Sequence, residues 1–280
     1  GRRNLYANTT GSYNVALGHQ TAKNLTTGSY NVFLGKDAGG ADAVTGGYNV
    51  GIGNHACYLL TSGEANAAIG ADSLLNITTG NNNVALGMDA LRAVSLGNSN
   101  VGLGKDAARN LTTSSGNVAI GFEALYTEDT ISGVVAIGYR ALKTQNASFG
   151  LNTAVGYMAG TALTNSTENV FVGYYAGAAL TTGGGTFIGG KAGEHTTTGS
   201  GLVSIGKDSL KANTTGSSNV AIGDSSLAAT TTGGSNTALG TNAGDSITTG
   251  GQNVCIGTNA GSAFTTVSHC VYIGKDSGQN

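Results

Sequence analysis

Five-residue segments with alternating apolar residues recur along this chain at a nearly constant step. The first reads Asn14-Val15-Ala16-Leu17-Gly18 and the second Asn31-Val32-Phe33-Leu34-Gly35; the last two are Asn253-Val254-Cys255-Ile256-Gly257 and Cys270-Val271-Tyr272-Ile273-Gly274. Their closing glycines fall at 18, 35, 53, 70, 87, 104, 121, 138, 156, 173, 189, 206, 223, 240, 257 and 274, a step of seventeen with single-residue slips. A fixed short period predicts one supersecondary unit stacked on itself. The second and fourth residues of each segment are Val, Ile, Leu, Ala or Thr, and period-two alternation puts them on one face of a short strand, where they are expected to fill the coil. A second, less regular strand is expected just before each "TTG", at Leu25, Ile77, Leu111, Leu180 and Ile247. The "TTG" then closes the coil, its hydroxyls bonding to nearby backbone.

"GMDALRAV" and "GFEALY" look locally helical. Seventeen residues do not hold a helix, a strand and two turns, and each glycine inside a helix costs about 1 kcal/mol. Two strands and two turns per coil, each strand pairing in parallel with its equivalent one coil on, satisfy the backbone donors and acceptors without helices. The expectation is an all-β parallel β-solenoid, or β-roll, of about sixteen 17-residue coils. No stretch escapes the period, so residues 1–280 are expected to form a single array, a segment of a longer fibre.

Three further rows follow from the stacking. The first segment position is Asn in most copies, including Asn14, Asn31, Asn49, Asn66, Asn83, Asn100 and Asn117; stacked in register, such amides bond to one another and pin the register. The third position, expected to point out of the coil, is nearly always small or apolar: Ala16, Phe33, Gly51, Ala68, Ala85, Gly102, Ala119, Ala136, Ala154, Phe171, Phe187, Ala221, Ala238 and Tyr272. A continuous apolar outer stripe predicts a cover. The simplest cover is another copy of the chain, giving a homo-oligomer with closed symmetry. The residue after the closing glycine is aromatic in four successive coils, Phe122, Tyr139, Tyr157 and Tyr174, with Tyr175 beside the last. Flat rings in a row offer a platform for a sugar or receptor side chain, or a self-stabilising ladder like that expected of Tyr13, Tyr30 and Tyr48.

Composition agrees with a thin coil: 48 Gly, no Pro or Trp, and only 10% charged residues. A net charge of −2 gives no electrostatic reason to expect nucleic acid or an anionic membrane as partner. No apolar run approaches the roughly 20 residues of a membrane-spanning helix. Three cysteines at unrelated repeat positions read as single buried thiols. The histidines, His19, His55, His195 and His269, lie in different coils, so no metal site is expected and no cofactor is implied. Lys36-Asp37, Lys105-Asp106, Lys207-Asp208 and Lys275-Asp276 read as solvated turn charges. No catalytic triad, phosphate loop or calcium nonapeptide is present, so no enzyme is expected and no catalytic residue is assigned.

The recurring "SYNVALG", "NNNVALG" and "SSNVAIG" resemble the head repeats of trimeric autotransporter adhesins, and "TTGSSNVAIGDSSL" at 214–227 resembles repeats of bacteriophage tail fibres more closely. The resemblance covers essentially the whole chain. It implies a left-handed β-roll, three of which associate side by side as a rigid homotrimeric rod. Such a rod is a structural fibre or adhesin segment on a virion or cell surface, extracellular, that presents or forms a surface for attachment to a host receptor or glycan. The period of seventeen departs from the fourteen or fifteen of adhesin heads. The repeated Thr pairs also raise an ice-binding solenoid, although "TTG" supplies one outward Thr row where an ice face wants two.

Overall fold

The computed structural model describes residues 1–127, 130–146 and 150–279. The chain divides into two compact units, Gly1–Tyr139 and Arg140–Asn280. The first holds β1 Val15–Leu17, β2 Val32–Leu34, β3 Val50–Ile52, β4 Ala67–Ile69, β5 Val84–Leu86, β6 Val101–Leu103, β7 Val118–Ile120 and β8 Val135–Ile137. The second holds β9 Thr153–Val155, β10 Val170–Val172, β11 Gly184–Ile188, β12 Ser200–Ile205, β13 Val220–Ile222, β14 Thr237–Leu239, β15 Val254–Ile256 and β16 Val271–Ile273. Within each unit every strand pairs in parallel with its successor and in register, as Val84 does with Val101, Ala85 with Gly102 and Leu86 with Leu103. The fold is therefore an all-β parallel β-solenoid with coils about 17 residues apart. No helix occurs among the described residues; the "GMDALRAV" stretch is a run of turns in which Asp89 (φ 58°) and Leu91 (φ 49°) are left-handed.

The coil has one strand, not the two expected. Its opposite wall is built of turns, because left-handed residues recur two and four places after the closing glycine, as at Asp72 and Leu74, and interrupt any extended run. That wall still bonds from coil to coil: Leu74 N–H donates to Ala90 O (3.1 Å), Asn76 N–H to Arg92 O (3.0 Å) and Ala93 N–H to Arg109 O (2.9 Å). The backbone is thus satisfied on both sides with strand geometry on only one.

The direction of the strand side chains also differs from the expectation. The second and fourth residues face outward: Val84 is 40% exposed and Leu86 48%. The third position faces the chain's own interior. Phe33, Gly51, Ala68, Ala85, Gly102, Ala119 and Ala136 in the first unit are buried, as are Ala154, Phe171, Phe187, Ala221 and Ala238 in the second; Ala16 in β1 and Tyr272 in β16 are partly exposed. This row cannot be the contact between copies. It is small because the coil is thin and the opposite wall already fills it with Leu74, Leu91, Ile77 and Val94, all fully buried. A β-carbon on Gly102 would stand 2.8 Å from Leu91 Cγ. Each such Leu or Val contributes roughly 1.5–3 kcal/mol by leaving water.

Where the strand carries a ring, the opposite wall recedes. Phe33 faces Gly39, Phe171 faces Gly177, Phe187 faces Gly193 and Tyr272 faces Gly278, and in every one of these coils a side chain on the glycine would strike the ring. Volume is conserved within the coil, as close packing requires.

The coil from Gly173 to Gly189 is one residue short, and a bulge between Gly184 and Gly185 absorbs the difference. Elsewhere the buried amides fix the register. Asn83 Nδ2 donates to Asn66 Oδ1 (3.1 Å) and to Gly97 O (2.8 Å), while Asn83 Oδ1 accepts from the N–H (3.0 Å) and Nδ2 (3.1 Å) of Asn100. The same pattern links Asn31, Asn49, Asn66, Asn100 and Asn117, and begins at Asn14. Slipping a strand by one residue would bury the outward Val and Leu and expose these amides.

Candidate binding surfaces

The first surface is the strand face. In the first unit it carries two parallel apolar rows, Val15, Val32, Val50, Ala67, Val84, Val101, Val118 and Val135 beside Leu17, Leu34, Ile52, Ile69, Leu86, Leu103, Ile120 and Ile137, none of them buried. The second unit repeats the arrangement with Thr at 153, 186 and 237. Polar side chains normally cover the outer face of a sheet; a band this long and this apolar is exceptional on a free surface.

The aromatic residues pack ring against ring within each unit. Tyr13, Tyr30 and Tyr48 stack face to face, with ring centroids 4.9 and 5.0 Å apart. Phe122 and Tyr139, in the first unit, also stack, at 5.4 Å. In the second unit Tyr175 meets Tyr157 (5.5 Å) and Tyr174 (5.0 Å) edge-on, so the expected continuous ladder is there a cluster of T-shaped contacts. Burial and the neighbouring Tyr157 hydroxyl push the Tyr175 hydroxyl above its ordinary value.

The "TTG" residues divide the work between them. The first Thr donates its hydroxyl to the backbone of the next coil, as Thr78 Oγ1 does to Ser95 O (3.1 Å) and Thr214 Oγ1 to Thr231 O (3.0 Å). The second, at Thr79, Thr113, Thr215, Thr232 and Thr249, is exposed in a single row.

In three of the Lys-Asp turn pairs the carboxylate is less solvated than the sequence suggests, at Asp37, Asp106 and Asp208, while Lys275-Asp276 is exposed. Lys207 is exposed and Asp208 mostly covered, because Asp208 occupies a left-handed position (φ 55°) that tucks its carboxylate against the coil. Lys207 Nζ lies 3.5 Å from this carboxylate and Lys211 Nζ 3.1 Å. Burial raises the Asp208 pKa, but hydrogen bonds from Lys211 and Lys207 outweigh it and leave the group below its ordinary value. Next to it a pocket of about 410 Å³ is lined by Tyr174, Gly190, Lys191, Lys207, Asp208 and Lys211. Lys191 Nζ is 5.7 Å from the centre of the Tyr174 ring and 3.9 Å from Glu194. Hydrogen bonding to Tyr174 and the charge of Glu194 hold this ammonium above its ordinary value. Reading Lys207-Asp208 as an isolated turn pair misses this pocket. The signal was a glycine at 190 in a row that carries Tyr one coil before and Lys one coil after.

The three thiols are free. Burial pushes Cys57 up to about 12 from 9.0. Its unfolded form loses a proton from about pH 9 and its folded form does not, so stability is expected to fall as pH rises from 9 towards 12, by about 1.4 kcal/mol for each unit separating the two values. Denaturant midpoints at pH 8 and pH 10.5 check this: the alkaline loss is expected to be smaller in Cys57→Ala.

Among the described residues no group of His, Cys, Asp and Glu has the arrangement of a metal site, and no helix is long and apolar enough to cross a membrane. No family model, curated protein or solved structure matches the chain.

Proposed function

We propose that this chain is a structural fibre or adhesin segment, a homotrimer of the bacteriophage tail-fibre type, working outside the cell or on a virion and holding out a surface for attachment to a host receptor or glycan. The observation that carries this reading is the outward strand face. Its apolar rows recur once per coil, so a second copy offers knobs and grooves at the same spacing, and side-by-side packing buries the whole band in one step. Closed cyclic symmetry is the common arrangement for identical chains, and the repeat resemblance favours three. A trimer would attach by multivalency, each weak contact raising the effective concentration of the next. The head of a bacterial trimeric adhesin is the nearest alternative owner of the same architecture.

Sedimentation equilibrium tests the assembly. The wild-type chain is expected to behave as a trimer at micromolar concentration. The double variant Leu86→Lys, Leu103→Lys places charges on the band and is expected to be monomeric with an unchanged β circular-dichroism spectrum. A wild-type monomer across the same range contradicts the proposal.

A further inference from the structure

We propose that the pocket between Tyr174 and Lys207 binds a carboxylated pyranose, one residue of an acidic glycan; this rests on the attachment reading and deepens it by naming a ligand class and a place. The pocket arises from one missing side chain. Tyr174, Gly190 and Lys207 occupy the same repeat position in three successive coils, and the glycine leaves a notch between a ring and a lysine. The notch is held open by backbone bonds at both edges, Lys191 N–H to Tyr174 O (2.8 Å) and Asp208 N–H to Gly190 O (3.0 Å). Tyr174 and Lys207 stand two strand spacings apart, roughly 9.5 Å. That gap is of the size of one saturated six-membered ring lying beside Tyr174, whose Cδ1 stands 3.4 Å from where a Gly190 β-carbon would be.

The chemistry of the walls selects the ligand. Tyr174, 47% exposed, offers ring surface for the C–H face of a sugar beside the Lys191 ammonium, 5.7 Å from the ring centre, so that an apolar contact and a charge are met together. Three of the chain's 13 Lys and Arg residues, Lys191, Lys207 and Lys211, meet here, against only two carboxylates, Asp208 and Glu194. Asp208 is already shared by two ammonium groups, which leaves one positive charge uncompensated and suits a monoanion. Lysines act as mobile point charges and need no bidentate geometry, so the ring stack sets orientation and the ammonium groups read the carboxylate.

The test uses the full chain and three probes: a short oligogalacturonate, the same oligomer methyl-esterified, and sodium sulfate. NMR titration is expected to move the resonances of Tyr174, Gly190 and Lys191 with the acid. Its affinity should exceed that of the ester by about tenfold, as expected for a charge-assisted hydrogen bond, and fall with added salt. Gly190→Leu fills the notch: Gly190 is not left-handed and a β-carbon there would make ordinary contact, 3.4 Å from Tyr174 Cδ1; it is expected to abolish binding with the spectrum elsewhere unchanged. Lys191→Gln with Lys207→Gln should weaken the acid about tenfold and leave the ester unaffected. Equal affinity for acid and ester, competition by sulfate at equal concentration, shifts confined to other residues or no shifts at all each overturn the site. A trimer that fails to bind removes the pocket and keeps the fibre reading; a monomer that binds does the reverse.

Discussion

Replacing Gly87 with valine is expected to destabilise the first unit by about 4 kcal/mol or more, through two separable effects. The backbone at Gly87 has φ 135°, a region that costs a side-chain-bearing residue about 1–3 kcal/mol. A β-carbon there would also lie 2.5 Å from Gly104 O and 2.6 Å from Gly104 C. These are backbone atoms of the next coil, and they move only by breaking bonds such as Gly104 N–H to Leu86 O (2.7 Å). Gly116 supplies the control. It too is left-handed (φ 70°), but nothing lies within 4 Å of a β-carbon there, and the equivalent places one and two coils earlier hold Ser99 (φ 56°) and Asn82 (φ 58°). Gly116→Asn is therefore expected to change stability by less than about 0.5 kcal/mol. Denaturant unfolding of both variants checks the contrast, and hydrogen exchange should show the Gly87→Val loss centred on the coils around 87 and 104, because a solenoid couples mainly neighbouring repeats.

Asn83→Asp is expected to destabilise by about 3–5 kcal/mol at pH 7, although it exchanges one group for another of the same size. The amide nitrogen of Asn83 donates to two acceptors, Asn66 Oδ1 and Gly97 O. A carboxylate oxygen in its place would face both without a proton, in a site with no solvent exposure. Only the protonated acid can still donate, so the folded chain holds that proton to a higher pH than the unfolded chain does. The stability of the variant is then greatest, relative to wild type, below the ordinary carboxylate pKa and falls as pH rises through the folded value. Unfolding at pH 4 and pH 7 measures this. A variant equally stable at both would show that the ladder amides are not bonded as described.

Much of the fold is legible in the sequence because stacking repeats each constraint. The closing glycines give the period, and the period with an Asn at the same place in successive coils gives a parallel in-register stack. Which way the strand side chains point is harder to read. Val-Ala-Leu alternates equally well with Val and Leu inside or with Ala inside, and hydropathy favours the wrong choice because this outer face is itself apolar. Phe33, Phe171, Phe187 and Tyr272 each have a glycine six residues on, which fits a shared interior, but Ala154, Ala238 and Cys255 have one as well, so the direction is decided by the burial of the third row and not by this spacing. The missing second strand is hidden for a related reason: left-handed Leu74 and Leu91 are held in unusual conformations by the stack, against the preference of an isolated leucine. The lysine pocket spans three coils and follows from no single motif, so it becomes visible only when Tyr174, Gly190 and Lys207 are placed one above another.

The inward third row is the central claim, and the native thiols test it directly. Cys255 holds the third position of its five-residue segment, the middle of β15, and is 1% exposed, whereas Cys270 is partly exposed. Alkylation by iodoacetamide, followed by mass spectrometry over a dilution series, should label Cys270 readily and leave Cys255 protected at every concentration, because its own coil encloses it. Protection of Cys255 that disappears on dilution would mean that sister chains shield it, and would place the row on the outside after all.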